Sequence, residues 1–313
     1  MGKITDFSDK YKIELSKKQL SDAFEELVSK IYERDGKVVI LIDEYDKPIL
    51  NNIENENIAE LQKVMKGFYS VLKTCEPYER FVFITGVGKF LKVSIFSDLN
   101  NLTDISMSDD YAIMCGYTEK ELLENFHSQI LETSKHQKIE YEIFLQKIKK
   151  WYDGYKFSIE GKNVYNPVSF AKFIENHGYF KNYWFETGSP SILVKLFKSQ
   201  TFDISEALKE NYQKEIFTAF EPSRVSIIAL MYQTGYLTIK NVKTIRNINR
   251  YELDFPNFEV EDSFNRYLLT SVNNRLNAAD SVYLKICDAV DENNVDKMMV
   301  AINSFQKYPM AYR

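Results

Sequence analysis

Residues 37–42 read KVVILI, a continuous run of β-branched and aliphatic side chains without polar alternation, and an acidic pair, Asp43-Glu44, follows at once. Strands of this kind belong to parallel sheets whose two faces are both covered. Parallel neighbours need long crossovers, usually helical, so the run predicts alternating helices and strands around it. The flanks agree. Residues 15–34 place Leu20, Phe24, Leu27, Val28 and Ile31 at helical spacing, and Asp35-Gly36 ends the pattern. Residues 59–74 repeat the helical period through Leu61, Val64, Met65, Phe68, Val71 and Leu72, and FVFIT at 81–85 is a second strand of the buried type. Helix, strand, helix, strand is the doubly wound α/β pattern.

Beyond Thr118 the sequence turns helix-rich with scattered aromatics to about residue 221, and no Gly- or Ser-rich linker intervenes. An apolar stretch at 223–234, Gly235, a strand-like YLTIKNV, a polar turn KTIRNIN and a second strand RYELDF ending at Pro256 predict a helix with a two-stranded wing. The remainder reads as two or three helices with a stop at Tyr308-Pro309. The expected division is therefore a partial α/β core at 1–118, a helical lid at 119–221, a winged helix at 222–260 and C-terminal helices at 261–313.

Composition excludes some classes of function. With 21 Tyr and 22 Phe among 313 residues there is ample material for a core, which argues against disorder. A net charge of −5 excludes an even basic coat but not a local basic patch. Lys240, Lys243, Arg246 and Arg250 crowd the wing, as candidates for contacting the phosphate backbone of DNA; a solvated hairpin tip is equally well served by them. Cys75, Cys115 and Cys287 form no CxxC and are odd in number, which points to a reducing cytoplasm rather than to disulfides or zinc. No apolar run approaches the length that crosses a bilayer, so no membrane role is expected. His127, His136 and His177 share no spacing, and no metal site is predicted from them.

A buried strand ending in two carboxylates has a specific chemical use in nucleotide hydrolysis. The first carboxylate can hold Mg²⁺, and the second can polarise an attacking water. A neighbouring strand ending in Thr85 would bring a hydroxyl to the same corner. The segments VVILIDEYDKPIL, FVFITGVGKFLKVSIFSDLNNLTDIS, WYDGYKFSIEGKNVYNPVSF, NYWFETGSPSILVKLF and LMYQTGYLTIK with YELDFPNFEV resemble, in this order, the blocks of the bacterial AAA-ATPase-like family. The resemblance implies a partial P-loop NTPase sheet of the ASCE type, with ATP and Mg²⁺ as ligands. It places Asp43 and Glu44 on the Walker B pair, with Asp43 as the metal ligand and Glu44 and Thr85 as catalytic groups. Asp46 and Lys89 fall in positions that the resemblance associates with the nucleotide, and Ser94, Phe96, Ser97, Asn100, Asn101 and Asp104 match the polar block that follows. The family also implies an upstream P-loop segment and a PD-(D/E)XK nuclease-like domain downstream as partners.

A Walker A loop needs GxxxxGK[ST] to surround the phosphates with amides and a lysine. No Gly-Lys qualifies: those at Gly2, Gly36, Gly88 and Gly161 are followed after the lysine by Ile4, Val38, Phe90 and Asn163. The expectation is an ATPase module truncated before its phosphate loop and inactive alone, regulating an associated nuclease-like domain. The alternative is a degenerate, non-catalytic module for protein or DNA interaction.

Overall fold

A computed structural model describes residues 2–52, 55, 57–89, 99–184, 203–217, 226–273 and 276–306. Ser94, Phe96, Ser97, most of NYWFETGSPSILVKLF and the Tyr308-Pro309 stop lie outside the described residues. The chain divides into two compact units, Met1–Ile105 with Lys214–Thr234 and Ser106–Gln213 with Gly235–Arg313.

In the first unit, helices α1 (Gly2–Tyr11) and α2 (Leu20–Asp35) precede strand β1 (Val38–Ile42), a single turn α3 (Lys47–Leu50), helix α4 (Ile58–Thr74) and strand β2 (Glu79–Ile84). The periodic positions of α2 do what their spacing dictates: Ala23, Leu27 and Val28 are buried. Ile4 of α1 joins them, and Phe24 meets Phe68 of α4 with ring centroids 5.1 Å apart. Gly36 ends α2 at φ 89°, a conformation open to glycine, and its N–H returns to the Tyr32 carbonyl at 2.9 Å.

β1 and β2 pair in parallel, with Ile40 opposite Val82 and Ile42 opposite Ile84. The mixed α/β pattern with a small parallel sheet thus follows the sequence period. Burial on both faces does not. Ile40 is buried, whereas Val39 is 50% and Leu41 69% exposed, and Phe81 on β2 is 54% exposed. Side chains alternate across a strand, so one face of this two-stranded sheet packs inward while the other is open among the described residues. The unalternated run records a capacity for two-sided burial that these residues do not complete.

The second unit is mainly helical. Thr118 opens α5 (Glu119–Gln137) with a capping box: its hydroxyl accepts the Glu121 N–H while the Glu121 carboxylate takes the Thr118 N–H. Glu140 caps α6 (Tyr141–Tyr152), and Asn166 caps α7 (Pro167–Glu175), with Pro167 at the first turn, where its missing N–H costs nothing. Phe144 and Ile148 of α6, Phe170 and Phe173 of α7 and Tyr152 are fully enclosed in one aromatic core. Each such side chain contributes roughly 1.5–3 kcal/mol by leaving water.

A short turn α8 (Ile204–Ala207) follows in this unit, and α9 (Ile227–Gln233) belongs to the first. The hairpin β3 (Thr238–Ile245) and β4 (Ile248–Asp254) and helices α10 (Phe258–Asn273), α11 (Leu276–Asp291) and α12 (Val295–Gln306) complete the second unit. The helix and hairpin expected to form a winged helix are both present, and α9 groups with the first unit while the hairpin groups with the second. Among the described residues no helix is long and apolar enough to cross a membrane.

Candidate functional site

The carboxyl ends of β1 and β2 lie side by side because the strands are parallel and in register. The ladder continues past both strands, the Thr85 N–H donating to the Ile42 carbonyl at 2.8 Å and the Tyr45 N–H to the Thr85 carbonyl at 3.0 Å. This delivers Thr85 to Asp43: the Thr85 hydroxyl donates to Asp43 Oδ1 at 2.5 Å. The Glu44 N–H donates to the same oxygen at 2.9 Å. Glu44 itself has φ 54°, the left-handed region that a non-glycine residue enters at a cost of about 1–3 kcal/mol. Its exposed carboxylate pairs with Lys47 Nζ at 2.6 Å.

Asp46 lies inside the protein, between the two loops. Its side chain is fully buried and accepts the N–H groups of Val87 at 3.1 Å and Gly88 at 2.5 Å. Burial pushes its carboxyl up from the ordinary value, while the two amides pull it back. An enclosed carboxylate holding two amides fastens one loop to the other. Tyr45 adds to this closure, donating its hydroxyl to the Gly88 carbonyl at 2.7 Å and meeting the Tyr69 ring edge-on. Gly86 makes the approach possible, since a Cβ there would lie 2.4 Å from Tyr45 Cε1 and 2.6 Å from Asp46 Oδ1. Sequence reasoning missed these roles for Asp46 and Gly86. The signal available was the Thr-Gly-Val-Gly at the end of the second strand, where small residues permit close backbone approach.

Lys89 is also engaged within the protein. Its N–H donates to Gln233 Oε1 at 2.7 Å, and its ammonium pairs with Asp104 at 3.0 Å. The ion pair therefore joins Lys89 to Asp104 of the polar block that follows it. Asn100 and Asn101 sit in an exposed turn.

The basic hairpin is longer and tighter than its sequence suggests. In place of a seven-residue polar turn, the strands run to Ile245 and from Ile248, joined only by Arg246 at φ 52° and Asn247 at φ 61°. Two successive left-handed residues make a type I′ turn, whose twist matches the strands. Lys240, Lys243, Arg246 and Arg250 are all exposed. Lys240 pairs with Asp254 and Lys243 with Glu252, so two of the four basic groups are neutralised within the hairpin. Lys243 stands directly opposite Arg250.

The three histidines separate into two environments. His127 Nδ1 lies 2.8 Å from the Tyr141 hydroxyl, whereas His136 and His177, which are 41 positions apart, bring their rings to a 5.6 Å centroid distance.

The two corner loops, with Asp43, Glu44 and Thr85, lie in one short segment of the chain. Residues 2–96 match the family described as Predicted AAA-ATPase. The matched segment contains both strands and every residue of the corner described above. Over 249 residues the chain is 39% identical to the "Uncharacterized protein in vnfD 5'region" of Azotobacter chroococcum mcd 1. That alignment covers 79% of this chain and 46% of the relative, so the chain spans about half the relative's length. No solved structure matches the chain.

Proposed function

We propose that the Asp43–Glu44–Thr85 corner is the acidic half of an ATP-hydrolysis site. What carries the reading is the Thr85–Asp43 hydrogen bond at the aligned ends of two parallel strands, within the AAA-ATPase-like segment. The donor set fits Mg²⁺, which prefers hard oxygen ligands and is commonly bound through one or two carboxylates together with substrate phosphates. Asp43 would hold the ion, whose chemistry is to neutralise charge developing on the phosphoryl oxygens. Both hydrogen bonds to Asp43 fall on Oδ1, which orients the carboxylate and leaves Oδ2 for a cation. Glu44 would accept a proton from the attacking water once it leaves Lys47. Thr85 fixes the relation between the two strand ends.

The phosphate cradle is not encoded in these 313 residues, because no GxxxxGK[ST] occurs among them. Positioning and charge stabilisation supply nearly all catalysis in phosphoryl transfer, so the chain alone should turn ATP over negligibly, and Glu44→Gln should change nothing there. In a polypeptide that supplies the loop, Glu44→Gln should lower turnover by about a hundredfold or more, in line with typical general-base contributions. Equal turnover of the two forms in that longer polypeptide would overturn the assignment. The rival reading is a non-catalytic interaction module. It is favoured by the open apolar face of Val39, Leu41 and Phe81 and predicts that Glu44→Gln is silent in every context.

A further inference from the structure

We propose that His136 and His177 form a two-imidazole binding site for a first-row transition-metal ion, Cu²⁺ or Zn²⁺. The site is separate from the Asp43 corner and does not depend on its assignment. His136 lies in the last turn of α5, and His177 follows the C-cap of α7. Both side chains are exposed and accessible to an ion from solvent.

The spacing suits ligation. With a metal–nitrogen distance of about 2.1 Å and about 1.1 Å from nitrogen to ring centre, two imidazoles at a tetrahedral angle have centroids about 5.2 Å apart. The observed centroids are 5.6 Å apart with a 36° tilt. The two separations differ by about 0.4 Å, and both residues are exposed.

The support beneath the two rings is fixed from both helices. Gln137, next to His136, donates its side-chain amide to the His177 carbonyl at 2.7 Å. Gly178, next to His177, lies so close to α5 that a Cβ there would come within 2.1 Å of Thr133 Cγ2. His177 itself has φ 55°, and the Gly178 N–H returns to the Phe173 carbonyl at 2.9 Å, which completes the α7 terminus. Ligands carried on supported helix ends keep their geometry better than ligands on free loops. Two helix C-termini also present partial negative charge, which favours a bound cation.

No third His, Cys, Asp or Glu completes a cluster among the described residues. The remaining coordination positions would be filled by water, so the ion should exchange readily. Imidazole is suited to copper and zinc, with Cu²⁺ bound more tightly than Zn²⁺, and magnesium is not expected to bind.

The test is calorimetric titration of Cu²⁺, Zn²⁺ and Mg²⁺ into the full chain and into His136→Ala, His177→Ala and His127→Ala, with circular dichroism to verify folding. His136→Gln and His177→Gln provide second variants that keep side-chain bulk at each position. Removing even a partner that only supports a ligand weakens metal binding by about tenfold or more, so loss of either proposed ligand should weaken Cu²⁺ binding by at least about tenfold. His127→Ala should bind as the parent does, and Mg²⁺ should not bind. Absence of one-to-one Cu²⁺ binding in the parent, or binding that survives either substitution at 136 or 177, would overturn the proposal.

Discussion

Replacing Asp46 by alanine tests the mechanical basis of the corner. The wild-type carboxylate accepts two backbone N–H groups, Val87 at 3.1 Å and Gly88 at 2.5 Å, from a fully buried position. A hydrogen bond to a charged group contributes about 1.5–3 kcal/mol, so two of them amount to about 3–6 kcal/mol. Removing the carboxylate also relieves its desolvation, the effect that raises its pKa, and this offsets about 1–3 kcal/mol. With the low ends and the high ends set against each other, the net expected loss is about 2–3 kcal/mol, concentrated in the loop from Thr85 to Gly88. Because the chain has two compact units, a global melting curve would blur the effect, and site-resolved amide exchange is the suitable assay. At about 1.4 kcal/mol per factor of ten, the Val87 and Gly88 amides should exchange roughly thirty- to hundred-fold faster in Asp46→Ala. Asp46→Asn keeps one acceptor but turns an NH₂ toward the second amide, so it should fall between the wild type and alanine. Unchanged exchange at both amides in Asp46→Ala, with the fold intact, would refute the view that this carboxylate holds the two loops together.

Two further outcomes follow from the second unit. Asp153 is buried, its Oδ1 has no hydrogen-bond partner, and burial raises its carboxyl above the ordinary 3.8, partly countered by the Gly154 amide. A raised folded-state value means its stability contribution is complete below 3.8 and is lost as pH rises through the folded value. Asp153→Asn should therefore be more stable than the parent at pH 7 by on the order of 1 kcal/mol, with the gap closing toward pH 4; denaturant titrations at both pH values would show it, and a variant less stable at pH 7 contradicts it. Gly154 has φ 119°, and a Cβ there would sit 1.9 Å from the Pro256 carbonyl oxygen. Gly154→Ala should cost about 2–6 kcal/mol, from backbone strain and overpacking of about 1–3 kcal/mol each, so wild-type amide-exchange protection in α6 and α10 would rule out this contact.

Much of the local order is legible in the residues themselves. The period of Leu20, Phe24, Leu27 and Ile31 marks α2, Gly36 marks its end, and the β-branched run marks β1, because these signals depend on neighbours within a few positions. The Asp43-Glu44 pair is likewise visible as a strand-end feature, and Thr85 directly follows the last residue of β2. Other features arise only when distant segments meet. Leu41 is apolar in sequence, but only the packing of a two-stranded sheet leaves it exposed. The polar stretch at 243–249 reads as a long turn, yet cross-strand pairing extends both strands and leaves two left-handed residues between them. Asp46 stands two residues from Glu44 and reads as part of the same acidic site. The backbone turn after β1 instead sends it inward to the amides of residues 87 and 88. His136 and His177 share no sequence spacing, and only the junction of α5 and α7 brings their rings together. The sequence alone determined where α2, β1 and β2 form and which strand ends carry carboxylates, since those depend on local period and chemistry. Only the tertiary structure decided which carboxylate faces solvent and which is spent inside, because burial and hydrogen bonding are set by residues some forty positions away.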